Sequence, residues 1–487
     1  MGDRTTSTKQ LSTVIPETVL PSSAVIYNAD DFYRSLFVDK TWEKTGTLDV
    51  KPSSIIEGTS IHFCVDKQYA DCFMFLNDMR VSFAVKLVDK EGNEPGTDTV
   101  VAPIANFPSA LISSVSMYLN ETQISSGTSN NYPYWAYTNV LLGESIDKKA
   151  HYRSVYGFYE DSDKWWMPDP GKIGWEARRL IFGKYGADGA FKYTKETKCF
   201  MADIMTDFSA CDLPMVPKVG MRLDLTLNSP SFYLTTLTSK RDASVSKGYQ
   251  LKIVDATLSI DIRKLTSSLA LDLERKMMKG EKLVYRTKRV DIRRLPLHEN
   301  QTSFTSDALK QSETSPDRML FFIINSWLVD KPYGISPMYA TRDVFKESEA
   351  SKRFDQRDHA VLDGFRLTIN NESLDLCGTA GTIDELGKHH YLALQRVFGA
   401  NALPSCVALD IDEYLDGKYF IAYDLTASRK AALSGVNVRQ VAREGNLKLE
   451  AHFSKQLPCN AYLYVLSEYH SAVAVDKNRN VTYHFLD

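Results

Sequence analysis

Val115-Ser116-Met117-Tyr118-Leu119-Asn120-Glu121 and, far downstream, Phe365-Arg366-Leu367-Thr368-Ile369-Asn370-Asn371-Glu372 decide the fold. In each, apolar residues fall on every second position, the period of a strand with one buried face. Each ends in a polar hairpin turn that leads into a second short strand. The same alternation marks Leu223-Asp224-Leu225-Thr226-Leu227 and Leu447-Lys448-Leu449, whereas helical periodicity is confined to short stretches. The chain therefore reads as mostly β with a few short helices.

The two hairpins belong to a longer duplication. After each comes a short amphipathic helix. The first, around Tyr132 to Leu142, sets Tyr134, Tyr137 and Leu141 on one face and stops at Gly143. The second, around Tyr391 to Phe398, sets Tyr391, Leu394 and Phe398 on one face and stops at Gly399, a residue suited to a left-handed helix end. Further on, the stretch from Gly220 (GMRLDL) matches the stretch from Gly445 (GNLKLE), and each copy closes with a long strand, Tyr249 to Arg263 and Ala461 to Val475. Four matches recur in the same order at offsets of roughly 210 to 260 residues, loop length accounting for the drift.

Between the copies, Ser267 to Gly280 reads as a linker helix with Ser268 as N-cap, Leu269, Leu273 and Met277 on one face and Gly280 past the last turn. The expected architecture is all-β: two tandem eight-stranded jelly rolls joined by a short helix, with long decorating loops. The expected divisions are an N-terminal arm at 1–40, a first roll at 41–266, the linker at 267–281 and a second roll at 282–487. The arm has no periodicity. Gly157 to Cys211, with Trp165, Trp166 and Trp175, reads as an insertion decorating the first roll.

Bulk composition narrows the function. A chain of 487 residues exceeds one ordinary core, and 43% apolar with 24% charged residues describes a well-buried globular protein. The 25 Tyr and 23 Phe suit pleated, half-buried surfaces. A formal charge of −3 lacks the basic excess of proteins that coat nucleic acid directly, so a genome is met as by a container wall or through another protein. The seven cysteines form no CxxC pair, which leaves zinc and redox motifs without support and reads as reduced thiols packed as small hydrophobes. Met1 to Ser23 carries no apolar signal segment, and the most apolar run, Met319 to Val329, is too short to span a bilayer.

No catalytic, cofactor or metal set emerges. His389 and His390 are adjacent and so ill placed to chelate together; they read as surface histidines, which disfavours a metal-dependent β-sandwich enzyme. The Gly381–His389 stretch approaches a phosphate loop but has five residues between its glycines and His at the magnesium-binding position. One charge cluster stands out: Arg263 to Arg294 holds eleven Lys or Arg against Asp272, Glu274, Glu281 and Asp291. Within it Arg275, Lys276, Lys279, Lys282 and Lys288 form a candidate basic linker facing a nucleic acid or another protein. The alternative, favoured on the residues alone, is a solvated helix and strand whose charges pair with one another. Loop aromatics such as Trp165, Trp166, Tyr132 and Tyr134 are open to two readings, anchors between subunits or packing within their own domain.

Four stretches resemble the double jelly-roll capsid family of Polinton (Maverick) elements and adintoviruses. They are VAPIANFPSALISSVSMYLNETQISSGTSNNYPYWAYTNVLLG from Val101, YQLKIVDATLSIDIRK from Tyr249, KLVYRTKRVDIRRLPL from Lys282, and REGNLKLEAHFSKQLPCNAYLYVLSEYHSAVAVDKNRNV from Arg443. The resemblance covers roughly Val101 to the C-terminus and is most specific at NNYPYWAY and DKNRNV. It implies a major capsid protein, not an enzyme and without cofactor, whose homotrimers present six jelly rolls and tile an icosahedral shell around double-stranded DNA. It also implies penton and minor capsid partners, no membrane span and a place in the virion capsid, after synthesis in the host cytoplasm and assembly in the nucleus. Rival expectations are a host-retained capsid-like protein and a cellular carbohydrate-binding β-sandwich.

Overall fold

Alternating side chains build two sandwiches in succession. The computed structural model describes residues 41–54, 59–66, 72–96, 100–125, 131–143, 155–159, 173–236, 248–307, 309, 314–330, 337–346, 359–374, 382–399, 407, 409–427 and 444–485. The expected arm at 1–40, Trp165 and Trp166 lie outside these residues. The first sandwich contains β1 (Trp42–Val50), β2 (Ser60–Val65), β3 (Phe73–Asp89), β4 (Ile112–Leu119), β5 (Thr122–Ser125), β6 (Lys198–Asp203), β7 (Met221–Leu227) and β8 (Tyr249–Leu265). The second contains β9 (Leu283–Leu297), β10 (Ser303–Ser306), β11 (Arg318–Asn325), β12 (His359–Ile369), β13 (Glu372–Ser373), β14 (Ile421–Asp424), β15 (Leu447–Phe453) and β16 (Ala461–Val475).

The first half pairs as β1-β8-β3-β6 and β2-β7-β4-β5. The second pairs as β9-β16-β11-β14 and β10-β15-β12, with β13 also on β12. Counted within each half, both obey one rule: 1-8-3-6 in one sheet, 2-7-4-5 in the other. The chain changes sheet at every step but one, which is the wrapping of a jelly roll. The second roll adds Asp343–Phe345 beside β12 and Val481–Phe485 beside β16.

Each core follows from the alternation. Val81, Phe83 and Val85 of β3 are wholly buried, while Ser82, Ala84 and Lys86 between them are half-exposed. Across the sandwich, Leu223 of β7 sits between Phe63 and Met117. In the second roll Leu449 pairs with Leu367, and the Phe321 ring meets Phe365 of the opposite sheet at 5.2 Å.

The repeat extends to single atoms. Asn120 N donates to Gly220 O (2.9 Å) and Asn120 Oδ1 accepts from Gly220 N (2.9 Å). Asn370 N donates to Asn446 O (3.0 Å) and Asn370 Oδ1 accepts from Asn446 N (2.9 Å). Both asparagines hold positive φ, 45° and 50°, which their short polar side chains tolerate. This lock corrects one match made from the sequence. Gly220 is equivalent to Asn446, not to Gly445, so Met221 aligns with Leu447; a one-residue slip would turn every side chain of the strand to the wrong face.

Two helices occupy repeat-related places, and a third joins the copies. α1 (Tyr132–Gly143) lies between β5 and β6, α2 (Ser267–Met278) between β8 and β9, and α3 (Ile383–Gly399) between β13 and β14. α3 begins well before Tyr391, because Glu385 N donates to Thr382 Oγ1 (3.2 Å) and Thr382 N donates to Glu385 Oε2 (3.2 Å), closing a capping box. α2 starts after Thr266, not at a Ser268 cap, and of its expected inner face Met277 is buried while Leu269 is 44% exposed. The insertion expected to reach Cys211 is also shorter. Lys198–Asp203 is β6, paired to β3, and its alternation was hidden because the outward Cys199 and Met201 are themselves apolar. Cys64 and Cys199 are exposed instead of packed, and Cys211 is buried. No helix among the described residues is long and apolar enough to cross a membrane.

Candidate functional site

The informative surface of a duplicated chain is where one copy stops being independent of the other. Here that joint has an aromatic centre. Tyr134 of α1 meets Tyr464 of β16 at 4.5 Å and Phe322 of β11 at 5.9 Å, and the Phe322 and Tyr464 rings lie parallel at 5.1 Å. The Tyr464 hydroxyl donates to Tyr134 Oη (3.3 Å). Phe322 and Tyr464 lie on the outer face of the second roll, opposite Phe321, so α1 of the first roll roofs that face. Tyr132 and Tyr134 thus pack within the chain and are 1% and 2% exposed. Around this centre Asn131 Nδ2 donates to Ile292 O (3.1 Å) and Val216 N to Tyr285 Oη (3.1 Å).

A turn after β16 bolts the joint from below. Asp476 Oδ1 accepts from the backbone N–H of Asn478 and Asn480 (both 2.8 Å), throwing Arg479 into the left-handed region at φ 65°. Arg479 O accepts from Asn120 Nδ2 (2.8 Å), and Val481 O accepts from Thr122 Oγ1 (3.2 Å). The Arg479 guanidinium donates to Pro217 O (3.0 Å) and to Glu274 of α2, against Met277 Sδ. One side chain therefore ties the first roll, the linker helix and the end of the second roll. An open groove of about 680 Å³ runs beside the bolt, lined by Cys64, Tyr118, Lys218, Arg222 and Asn478 among others.

Two buried polar groups complete the joint and its surroundings. Asp207 is 2% exposed and accepts from the Tyr483 hydroxyl (3.2 Å), with Ser125 and Arg289 facing it. Burial pushes its carboxyl up to about 7, against the pull of Arg289 and the two hydroxyls. On β11 and β16, Arg318 binds Glu468 at 2.5 and 2.9 Å while lying over the Phe398 ring of α3, and Asp317 pairs with His470 at 3.0 Å. Burial would raise Glu468, but Arg318 and Lys288 outweigh it and hold the carboxyl below its usual range.

The sequence-derived basic linker divides in two. Arg275, Lys276, Lys279 and Lys282 are exposed, Arg275 pairing with Asp272 at 3.2 Å. Lys288 is instead half-buried in β9, its pKa lowered by burial with Glu468 opposing. The histidine expectation needs correction. His389 is half-exposed, but His390 is buried and hydrogen-bonded to the Tyr419 hydroxyl (2.7 Å), its pKa pushed down to about 3 by burial and then by His389. Among the described residues no group of three or more His, Cys, Asp or Glu is placed to hold a metal ion. Arg479 and Asp207 were missed from the sequence; the DKNRNV stretch marked the first by position only.

A chain of two successive jelly rolls with identical strand order is a double jelly-roll protein. No family model and no curated protein matches the sequence. Among solved structures, a chain of the cryo-EM structure of the Sputnik virophage is similar at TM-score 0.61 and 10% identity, over 97% of this chain and 95% of that one. The Faustovirus major capsid protein is similar at TM-score 0.51 and 8% identity, over 94% of each chain. The mavirus major capsid protein is similar at TM-score 0.50 and 10% identity, over 100% of this chain and 97% of that one. At such identities the likeness is one of fold.

Proposed function

We propose that the chain is a viral major capsid protein, a structural subunit with no catalytic role. In this reading three copies form a pseudo-hexameric homotrimer, and trimers tile an icosahedral shell around double-stranded DNA. The observation that carries it is the 1-8-3-6 and 2-7-4-5 order repeated in both halves, since two like sandwiches per chain let a ring of three offer six similar edges. The similarity to chains named as major capsid proteins, extending over nearly their whole length, supports it. The stretches from Val101, Tyr249, Lys282 and Arg443 favour the Polinton, Maverick and adintovirus group.

The reading includes an arm at 1–40, rolls at 41–266 and 282–487 and a linker at 267–281. The partners are further copies, penton and minor capsid proteins, and DNA only indirectly, in keeping with the net charge of −3. The place is the virion capsid, after synthesis in the host cytoplasm and nuclear assembly. Native mass tests it first: the 55.0 kDa chain should run at three times that mass, and electron microscopy should show closed shells. A persistent monomer that binds glycans would sink the proposal.

A further inference from the structure

We infer that the Asn370–Glu372 hairpin of the second roll seats the linker helix of another copy, along its Leu271, Arg275 and Met278 flank. This rests on the reading of the chain as a self-assembling shell subunit and names the residues of one contact in it.

The repeat carries the argument. Asn120 uses its backbone N–H and Oδ1 on Gly220, and its Nδ2 on Arg479 O of the following roll. Asn370 repeats the first two bonds on Asn446, but its Nδ2 reaches only Glu444 O at 3.5 Å, and Asn370, Asn371 and Glu372 are all exposed. The first hairpin is covered because a second roll follows the first; among the described residues no third roll packs on the second hairpin. What covers Asn120 and Thr122 is backbone lying four and six residues past the end of the eighth strand, at Arg479 and Val481 counted from Val475. The same count from Leu265, the end of the eighth strand of the first roll, gives Leu269 and Leu271 in α2.

α2 is dressed for such a contact. Its inner side buries Met277, whereas Leu271 is 57% and Met278 70% exposed. Leu271, Arg275 and Met278 are spaced i, i+4 and i+7, which puts them on one flank. A helix has its carbonyls engaged in its own bonds, so the contact must pass from hydrogen bonds, used by the Asp476–Asn480 turn, to side chains. The charges agree. Glu372 stands where the first roll has Thr122, with Glu444 nearby in sequence to the Asn446 lock, and they would face Arg275 and Lys279. Each chain thus carries both halves of the contact, the helix between its rolls and the hairpin on its second roll. Such a head-to-tail contact builds a ring if the rotation closes.

The test mixes two variants, Leu271→Cys and Asn371→Cys, each made with Cys64 and Cys199 changed to Ser. Cross-linking between copies should require both variants together. Leu271→Asp should raise the concentration for half-assembly roughly tenfold or more, with the circular dichroism and Tm of the dilute chain unchanged. Glu372→Lys should weaken assembly, and adding Arg275→Glu should restore it. If wild-type protein stays monomeric at all concentrations, the shell reading and this contact fall together. If it assembles, but Leu271→Asp assembles equally well and no cross-link forms, the contact alone is overturned. A charge reversal at Arg275 that spares native mass yet lowers the DNA content of particles also overturns it, by placing the linker against the genome.

Discussion

Asp207→Asn isolates the energetic role of the buried carboxyl in the joint. In the unfolded chain Asp207 ionises near 3.8, whereas in the folded joint burial moves that to about 7. Between these values the unfolded chain gives up its proton and the folded chain keeps it. Stability from this group is therefore fully present below pH 3.8 and is lost as pH rises to 7. At roughly 1.4 kcal/mol per unit, about three units amount to about 4 kcal/mol. The asparagine variant keeps the shape and a partner for Tyr483 but cannot ionise. Urea unfolding of both proteins, at a dilution where no assembly occurs, should give nearly equal stabilities at pH 4 and a variant more stable by a few kcal/mol at pH 7.5. The difference curve is the readout, because other groups titrate in the same window. A difference that does not change from pH 4 to 8 would refute the reasoning.

His390 contributes with the opposite sign: its folded pKa of about 3 means stability present above 6.5 and lost as pH falls, so its imidazole NMR signal should not titrate between pH 5 and 8. Phe322→Ala should cost about 3–5 kcal/mol in urea unfolding, since a side chain 2% exposed is removed from between Tyr134 and Phe420. Asn120→Gly and Asn370→Gly both keep the positive φ and remove side-chain bonds; the first should cost about 2–3 kcal/mol and the second about 1, because only Asn120 also holds Arg479 O. Equal losses would contradict the unequal loading of the two locks. Arg479→Ala should open the linker to limited proteolysis near Lys276 and Lys279 while each roll stays folded, as judged by retained β-sheet circular dichroism.

The strands were legible where one face of a sheet meets water. Val115–Leu119 and Leu223–Leu227 alternate because their outer sides are exposed or half-exposed. The alternation disappears in Met319–Val329, where the sequence showed only a short apolar run. There α1 roofs Phe322 while the roll's own core takes Phe321, and a strand buried on both faces has no period to read. The joint was illegible for a related reason. Tyr134, Phe322, Tyr464 and Arg479 are scattered over more than 300 positions, and no local spacing signals that they meet. His390 went the other way: the capping box that starts α3 near Ile383 lies upstream of the apolar periodicity, and only within that longer helix does His390 fall on the buried face of Leu394 and Val397.

Duplication alone would make every roll-to-roll contact alike, yet the two faces differ in chemistry. The outer face that the second roll turns to α1 is aromatic at Phe322 and Tyr464. On the first roll, the corresponding sheet shows the polar pairs Lys51–Asp255 and Ser259–Asp49, and its half-buried Trp42 and Phe75 rings lie under the Arg263 guanidinium. A contact within one chain forms as the chain folds and is never presented to solvent, so it can be as apolar as a core. A contact between chains must exist open before assembly. In the proposed assembly a bare aromatic patch there would invite indiscriminate association, whereas hydrogen-bonding loops, one apolar helix flank and a few opposed charges would make the contact reversible. If the chain assembles as proposed, the divergence of the two copies follows from where each sits: tandem fusion makes one joint permanent and leaves its repeat-related counterpart, between copies, free to stay weak.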